Sequence, residues 1–415
     1  MARSAGVSDP AALAAVSSAD PWTGNVAPPP TAPEGGGLPG PGPGAGPEAG
    51  PDDPGPAAPG RSVVLATRAE VEALAEAARR PPSDPAPAAG TPLPAGAASL
   101  SGRVMQGLVL SGIDLGGLDL SGARLTGSDL SGARLAGADL SGAALDGCLL
   151  GGADLSGARL AGADLSRVSG GAFSLAGADL SGADLAGADL SGCALAGARA
   201  PRASFVGARL PLDLRETDLA GASFARWDGQ GADLSGCDLE GASFTSCNLA
   251  GASFAGARMG RCSFFACDLS RAVFQEAAAP GIGFYRLSRA PGADFSGADV
   301  SGSTFDIRDV SGAVFAGARG DRASFAGALL RGASFQGGSF REAVFHEADL
   351  RGADFYGCDL MKAVFGGAQL SGAVFAGASL FAADFYLSRP DGTTDFQGAD
   401  LTRTVLMLDS ERLVR

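Results

Sequence analysis

Ala138-Asp139-Leu140-Ser141-Gly142-Ala143-Ala144-Leu145-Asp146-Gly147 is the stretch whose reading decides the fold. Leu returns at the fifth position, a small residue stands two places before it, and Gly stands two places after it. The same phrase continues, with Leu or Phe in the central slot, from Leu100 to about Leu406, apart from a few breaks. On an α-helix a step of five advances the side chain by about 140°, so the leucines would spiral around the cylinder and form no stripe. On a strand an odd step sends successive leucines to opposite faces. A chain that turns a corner every five residues points every Leu or Phe at one axis, and the period therefore specifies a solenoid.

The number of sides follows from size. Phe345, Leu350, Phe355, Leu360, Phe365, Leu370, Phe375, Leu380 and Phe385 alternate large and smaller side chains. This rhythm keeps each face uniform only if the number of faces is even. Two faces leave a thin core, whereas four set Phe opposite Phe and Leu opposite Leu. Each coil then takes about 20 residues, and about 15 coils stacked ~4.8 Å apart make a rod of roughly 70 Å.

Ala-Asp-Leu-Ser-Gly at 138–142, Ala-Asp-Leu-Ala-Gly at 183–187 and Ala-Ser-Phe-Ala-Gly at 323–327 resemble the pentapeptide-repeat proteins. The resemblance covers roughly three quarters of the chain and implies an all-β, right-handed quadrilateral β-helix solenoid. It leaves activity open. Within each unit Gly permits the backbone angles of a tight corner, the small slot points inward, and two positions face water. Cys148, Cys193, Cys237, Cys247, Cys262, Cys267 and Cys358 all fall in the small inward slot. They read as buried reduced fillers, although Cys247 and Cys267, one coil apart, are placed where a disulfide is geometrically conceivable.

The domain reading is a Pro/Gly/Ala-rich disordered tail over residues 1–66, a short helix over 67–80, a linker over 81–96, the β-helix over 97–406 and a C-terminal cap over 407–415. Thr67-Arg68-Ala69-Glu70 has the form of a capping box, with Val71, Leu74 and Ala78 on one side of the helix. Such a helix is marginal alone; it either folds on a partner or caps the first coil. Leu406, Leu408 and Leu413 are placed to cover the last open coil, or to form a homodimer contact.

Function is sought where the beat breaks. Central slots go missing at Gly170, Ala200, Gly229, Ala279 and Gly320, and the frame slips by one residue between Leu210 and Leu214. Two breaks resemble each other: Phe284-Tyr285-Arg286-Leu287-Ser288-Arg289, rejoining at Phe295, and Phe385-Tyr386-Leu387-Ser388-Arg389, rejoining at Phe396. Each puts eleven residues in place of ten, so both bulges are expected on one face, about 24 Å apart. Tyr285, Arg286, Arg289, Tyr386 and Arg389 are candidate interaction residues, since Tyr and Arg are favoured anchors. Arg226 and Trp227, read as a loop, are weaker candidates.

Catalysis finds little support. His346 follows a central Phe and points to solvent, the Asp residues lie on a convex exterior, and no Cys-x-x-Cys cluster or phosphate-cradling loop occurs. No metal or cofactor is expected. Net charge is −14, and residues 1–95 carry ten acids against five Arg. Some pentapeptide-repeat proteins occupy the DNA-binding groove of type II topoisomerases as acidic DNA mimics, and the resemblance brings that role into view. The remaining charge is thin against the ~40 phosphates of a 70 Å duplex. Asp114, Arg134 and Asp154, like Asp139, Arg159, Asp179 and Arg199, alternate in sign along one face, whereas Asp164 and Asp184 form an acidic patch. Direct nucleic-acid binding is not expected. The ending Asp395 with Ala399-Asp400-Leu401-Thr402-Arg403-Thr404 resembles C-termini of pentapeptide-repeat proteins associated with bacterial type VI secretion, which implies an accessory or effector role. The expectation is a non-catalytic scaffold with an unidentified protein partner. The Ala/Arg/Gly/Pro bias points to a bacterial source. No apolar run reaches the ~18 residues of a membrane span, so the cytoplasm is the expected site, with signal-independent export left open.

Overall fold

The computed structural model describes residues 64–65, 67–79, 99–285, 288–306 and 309–405. The chain divides into two compact units, Met1–Gly60 and Arg61–Arg415, and all that follows concerns the second. The tail up to residue 63, the linker at 81–96 and the cap at 407–415, with Leu406, lie outside the described residues.

Each side of the coil is built from one local device. The amide of Ala143 donates to the carbonyl of Leu140 at 2.9 Å, closing a turn in which Gly142 takes φ 63°. The Asp before the central residue locks that turn: the Asp139 carboxylate accepts from the Ser141 amide at 3.0 Å and from its hydroxyl at 2.6 Å. The same Asx-type clasp recurs at Asp179 and Asp189. Those hydrogen bonds hold the Asp139, Asp179 and Asp189 carboxyls below the usual carboxylate range, because the charged form is the better acceptor.

Coils meet in parallel register. Bridges step by 20 residues, as in Asp114↔Arg134↔Asp154↔Ser174, and continue from Val104 to Val405. Regular extended strand is confined to one face: β1 (Ser204–Val206), β2 (Ser223–Ala225), β3 (Ser243–Thr245), β4 (Ser263–Phe265), β5 (Gly283–Tyr285) and β6 (Thr304–Phe305). These six strands, in sequential order, span five coil-to-coil steps. The expected count of about 15 coils overstates this, since elsewhere the turns touch through isolated single-residue bridges.

The axis is filled as the size alternation requires. One column of rings runs from Phe205 through Phe284 and Phe305 to Phe385, with stacked centroids 4.4–5.3 Å apart. A second runs from Phe254 to Phe396 at 4.5–5.1 Å. The two columns face each other edge-on at 5.4–6.3 Å, the favourable geometry for aromatic quadrupoles. All seven cysteines are free and buried.

The N-terminal end of the coil is closed by α1 (Arg68–Arg79). Its capping box is formed: the Thr67 amide donates to Glu70 Oε2 at 2.9 Å, and the Glu70 amide donates to Thr67 Oγ1 at 3.3 Å. Val71, Leu74 and Ala75 enter the core, so the apolar side includes Ala75, and Ala78 is exposed. Arg68 donates to the Ser111 carbonyl at 2.6 Å, and Arg79 pairs with Asp114 at 2.8 Å. Val64, which the sequence groups with the tail, bridges Val104 in parallel register. Helix and bridge cover backbone that would otherwise be an open edge. Among the described residues, no helix is long and apolar enough to cross a membrane.

Candidate interaction surface

The face bearing β1–β6 differs from the others in charge. Its outward residues in successive coils are Ser204, Ser223, Ser243, Ser263, Gly283, Thr304 and Ser324, none of them ionisable. Elsewhere outward columns carry Asp and Arg joined coil to coil, as in Arg159–Asp139 at 3.6 Å, Arg199–Asp218 at 3.6 Å and Arg258–Asp238 at 3.2 Å. Arg199 therefore pairs forward with Asp218. Asp114 is taken by Arg79 of α1, and Arg134 makes no ion pair among the described residues.

Along one edge of this uncharged face stand aromatic side chains. Phe265 and Tyr285 are in-register neighbours, 43% and 41% exposed. The Tyr285 ring folds back over Gly283: a Cβ there would lie 2.3 Å from the ring, so the serine column yields a glycine at this coil. Following the register through Thr304, Ser324, Val344, Val364 and Asp384 puts Asp306, Ala326, His346, Gly366 and Tyr386 in the same edge column. His346 leans over Gly366, whose added Cβ would meet Nδ1 at 3.1 Å, and lies 3.6 Å from Glu347, so it is not isolated. Tyr285 and Tyr386, five coils apart, thus share an edge.

The two bulges do not share a face. In the first, Asp268 pairs with Arg289, a step of 21 residues, which puts the extra residue on the side directly after Phe284. Ser288 is buried there; its Oγ accepts from the Cys267 amide at 3.1 Å and donates to the Tyr285 carbonyl at 2.8 Å. In the second, Gln369 pairs with Arg389 at the normal step of 20, and the step of 21 comes only at Val374↔Asp395. The extra residue thus lies one side later, after Arg389. There the Asp391 carboxylate accepts from Ser371 Oγ and from the Thr393 amide at 2.9 Å, while Thr394 Oγ1 reaches the Leu370 carbonyl at 2.8 Å. Ser371 and Thr393 hold the Asp391 carboxyl down at about 2.

Of the remaining candidates, Arg289 is engaged with Asp268 at 2.5 Å, whereas Arg389 is exposed and makes no ion pair among the described residues. Arg286 lies outside the described residues. Arg226 is exposed, with left-handed φ 58°. Trp227 is a correction: it is 2% exposed and belongs to the core, its ring 5.6 Å from that of Phe224. It occupies the space vacated by Gly229, where an added Cβ would come within 2.8 Å of the indole. Phe340 likewise fills the gap left by Gly320. Phe265 was not singled out from the sequence, although its signal is present: a second Phe directly after a central Phe stands in a water-facing slot.

No group of three or more His, Cys, Asp or Glu stands close enough to hold a metal among the described residues. Loss of solvation raises the Cys148 and Cys193 thiols to about 12, away from reactivity.

The family model for pentapeptide repeats matches in eight copies, over ranges that begin at 97–132 and end at 358–387. No curated protein matches the chain in sequence. Among solved structures, a trypsin-treated QnrB1, a plasmid-mediated fluoroquinolone resistance protein, is 25% identical, covering 47% of this chain and 91% of that one with a TM-score of 0.26. HetL, a pentapeptide-repeat protein involved in heterocyst differentiation regulation in the cyanobacterium Nostoc sp. strain PCC 7120, is 24% identical, covering 72% and 88% with a TM-score of 0.13.

Proposed function

The chain belongs to the pentapeptide-repeat family, and from that premise we propose that it is a non-catalytic scaffold for protein partners. The contact surface is the uncharged face edged by Phe265 and Tyr285, with the edge continuing to Tyr386 beside Asp384 and to exposed Arg389. The observation that carries this reading is the contrast between that face and the ion-paired columns. Seven successive outward residues without charge, next to Phe265 and Tyr285, each about two-fifths exposed, remove the desolvation cost that Asp and Arg impose elsewhere. The extra residue after Phe284 borders this surface, whereas the one after Arg389 lies one side away from it.

The test is affinity capture from the native organism with wild-type bait, a Phe265→Ala/Tyr285→Ala/Tyr386→Ala variant and a Tyr356→Ala control on another face. The triple variant should lose partners that the control keeps. Equal partner sets from all three would remove the basis of the proposal.

The second reading, a DNA-mimicking protector or inhibitor of a type II topoisomerase, is favoured by one observation: Asp164 and Asp184 stack in register without an intervening cation. Most other acidic columns are neutralised by Arg from the next coil, which speaks for the scaffold. A supercoiling assay separates the two, since only a mimic inhibits at low micromolar protein.

A further inference from the structure

The frame slip near residue 211 has a consequence for the mechanics of the coil. Asp189 pairs with Arg209 at the normal step of 20, but Arg199 pairs with Asp218 at 19, so this coil is one residue short. The shortfall falls on two adjoining faces. On one, Ala194 forms no bridge to Asp213, and on the next Arg209 forms none to Asp228. Among the described residues, the amides of Gly192, Leu195 and Gly197 donate to no carbonyl of the following coil, and those of Leu210 and Asp228 are likewise outside the ladder. On the two opposite faces the ladder is whole: Ala200 N–H to the Asp218 carbonyl is 2.7 Å, and Gly207 N–H to the Ala225 carbonyl is 2.8 Å.

The result is a one-sided cleft of about 470 Å³, with Cys193–Ala196 on one wall and Pro211, Asp213, Arg215 and Glu216 on the other. No ion pair crosses it among the described residues. Arg215 binds Asp213 at 2.7 Å and Asp233 at 3.5 Å, both on its own side of the cleft, whereas Arg199–Asp218 spans the coils on the closed side. The coil after the cleft also contains two buried polar atoms without partners, Thr217 Oγ1 and Trp227 Nε1. Leu212 is left 53% exposed.

We propose that residues 192–216 are a hinge in the β-helix. The coils before and after it move as rigid arms that open and close at the cleft, with the two laddered faces as the flexible backing. Elsewhere bending must stretch hydrogen bonds on whichever side opens; here that side has none to stretch. A scaffold hinged at this point can fit its C-terminal arm, which carries the aromatic edge, to a partner held by the N-terminal arm.

Pulsed electron-paramagnetic-resonance distances test this in the full chain. Nitroxides at Ser156→Cys and Ser235→Cys span four coil steps across the cleft, and labels at Ser296→Cys and Ala376→Cys span four intact ones, each about 19 Å of axis. The first pair should give a distribution at least about twice as wide. Insertion of one Gly after Pro211, which restores a 20-residue coil, should narrow it to the control width. Equal widths in the wild-type arms overturn the hinge. A broad distribution unmoved by the insertion places the flexure at another break, such as Gly170–Gly171, and also overturns it. Hydrogen exchange provides a check that needs no variant: Leu195 and Gly197 amides should exchange about a hundredfold or more faster than Leu185 and Gly187, whose amides donate to Ser204 and Val206 at 2.8 and 2.9 Å. Comparable protection would refute the open ladder.

Discussion

Trp227 and Gly229 can be made to exchange roles. Both point inward, two positions apart, and Trp227 fills the axis that a central Leu would fill at 229. Trp227→Ala empties that volume and should cost about 3–5 kcal/mol. Gly229→Leu drives a side chain into indole atoms that an added Cβ alone would meet at 2.8 Å, an overpacking cost of about 1–3 kcal/mol or more. Independent sites would sum to about 4–8 kcal/mol. The double variant instead restores the regular unit Ala-Asp-Leu-Gln-Gly at 227–231 and removes a buried indole N–H that has no partner, worth about 1–3 kcal/mol when left unsatisfied. It should lie within about 1.5 kcal/mol of wild type, a coupling of about 3 kcal/mol or more. A solenoid does not unfold as one unit, so the readout is hydrogen exchange over residues 225–249, where the Asn248 amide donates to the Trp227 carbonyl at 3.0 Å and the Gly229 amide to the Asn248 carbonyl at 2.8 Å. If the double variant exchanges as fast as the sum of its parents predicts, the two residues do not share one space and the reading of the repeat's gaps is wrong.

Other outcomes follow from the same geometry. Hydrogen bonds from Ser hold the Asp139, Asp179 and Asp189 carboxyls low in the folded chain, and Arg351 and Arg331 hold Asp349 down at about 2. A depressed folded pKa gives stability that is present above the unfolded value near 3.8 and lost as pH falls through the folded one. Denaturation midpoints should therefore be flat above about pH 5 and fall between about pH 4 and 2, with Asp349→Asn lowering the plateau and shallowing the fall; a midpoint independent of pH there contradicts the assignment. All seven thiols should resist a disulfide reagent at pH 8 and react together on unfolding, whereas rapid native labelling of any would show that its slot is open. Val71→Asp with Leu74→Asp should detach α1 and speed exchange over the first coils, residues 100–120, while leaving residues 300–400 unchanged, because each coil contacts only its neighbours. Unchanged exchange at 100–120 would mean that α1 protects nothing.

What was legible in the sequence was whatever the repeat dictates locally. Period, corner glycines, inward cysteines and the opposition of Phe columns all follow from one five-residue unit and the volume of a shared axis. The capping box at Thr67–Glu70 was legible for the same reason, being written in four consecutive residues. The docking of α1 was not, because Val71, Leu74 and Ala75 gain their energy from coils that begin only at Leu100, well outside the helix's own sequence. Trp227 read as a loop residue because a missing central Leu looks like a gap in the solenoid; the fact that a large residue two places earlier also points inward shows only once volumes are matched. The side taken by each bulge was within reach. Phe284 to Arg289 is five steps and Phe385 to Arg389 is four, but the likeness of the two phrases hides the difference.

Backbone strain bears on where this chain invests in function. Among the described residues, sixteen non-glycine residues sit at φ 54–62°, and twelve of them are charged. A side chain at such an angle costs about 1 kcal/mol relative to glycine, so the substitutions require an explanation. Part of it is structural. Arg202 Cγ would lie 3.1 Å from a Cβ on Gly221, Arg167 Cγ 3.6 Å from one on Gly187, and Glu347 Cγ 3.2 Å from one on Gly367. In each case the stem of a long side chain lies over the corner glycine of the next coil and shields backbone that would otherwise face water. Left-handed arginines are thus partly repaid by packing, and strain alone does not mark them as contact residues. Phe265 and Tyr386 lay no side chain over a glycine, and Tyr285 covers only Gly283 of its own strand. They leave roughly two-fifths or more of their surface in water in a slot that Ala or Ser fills in other coils, and this exposure is why the aromatic edge, and not the arginine corners, is the proposed contact surface.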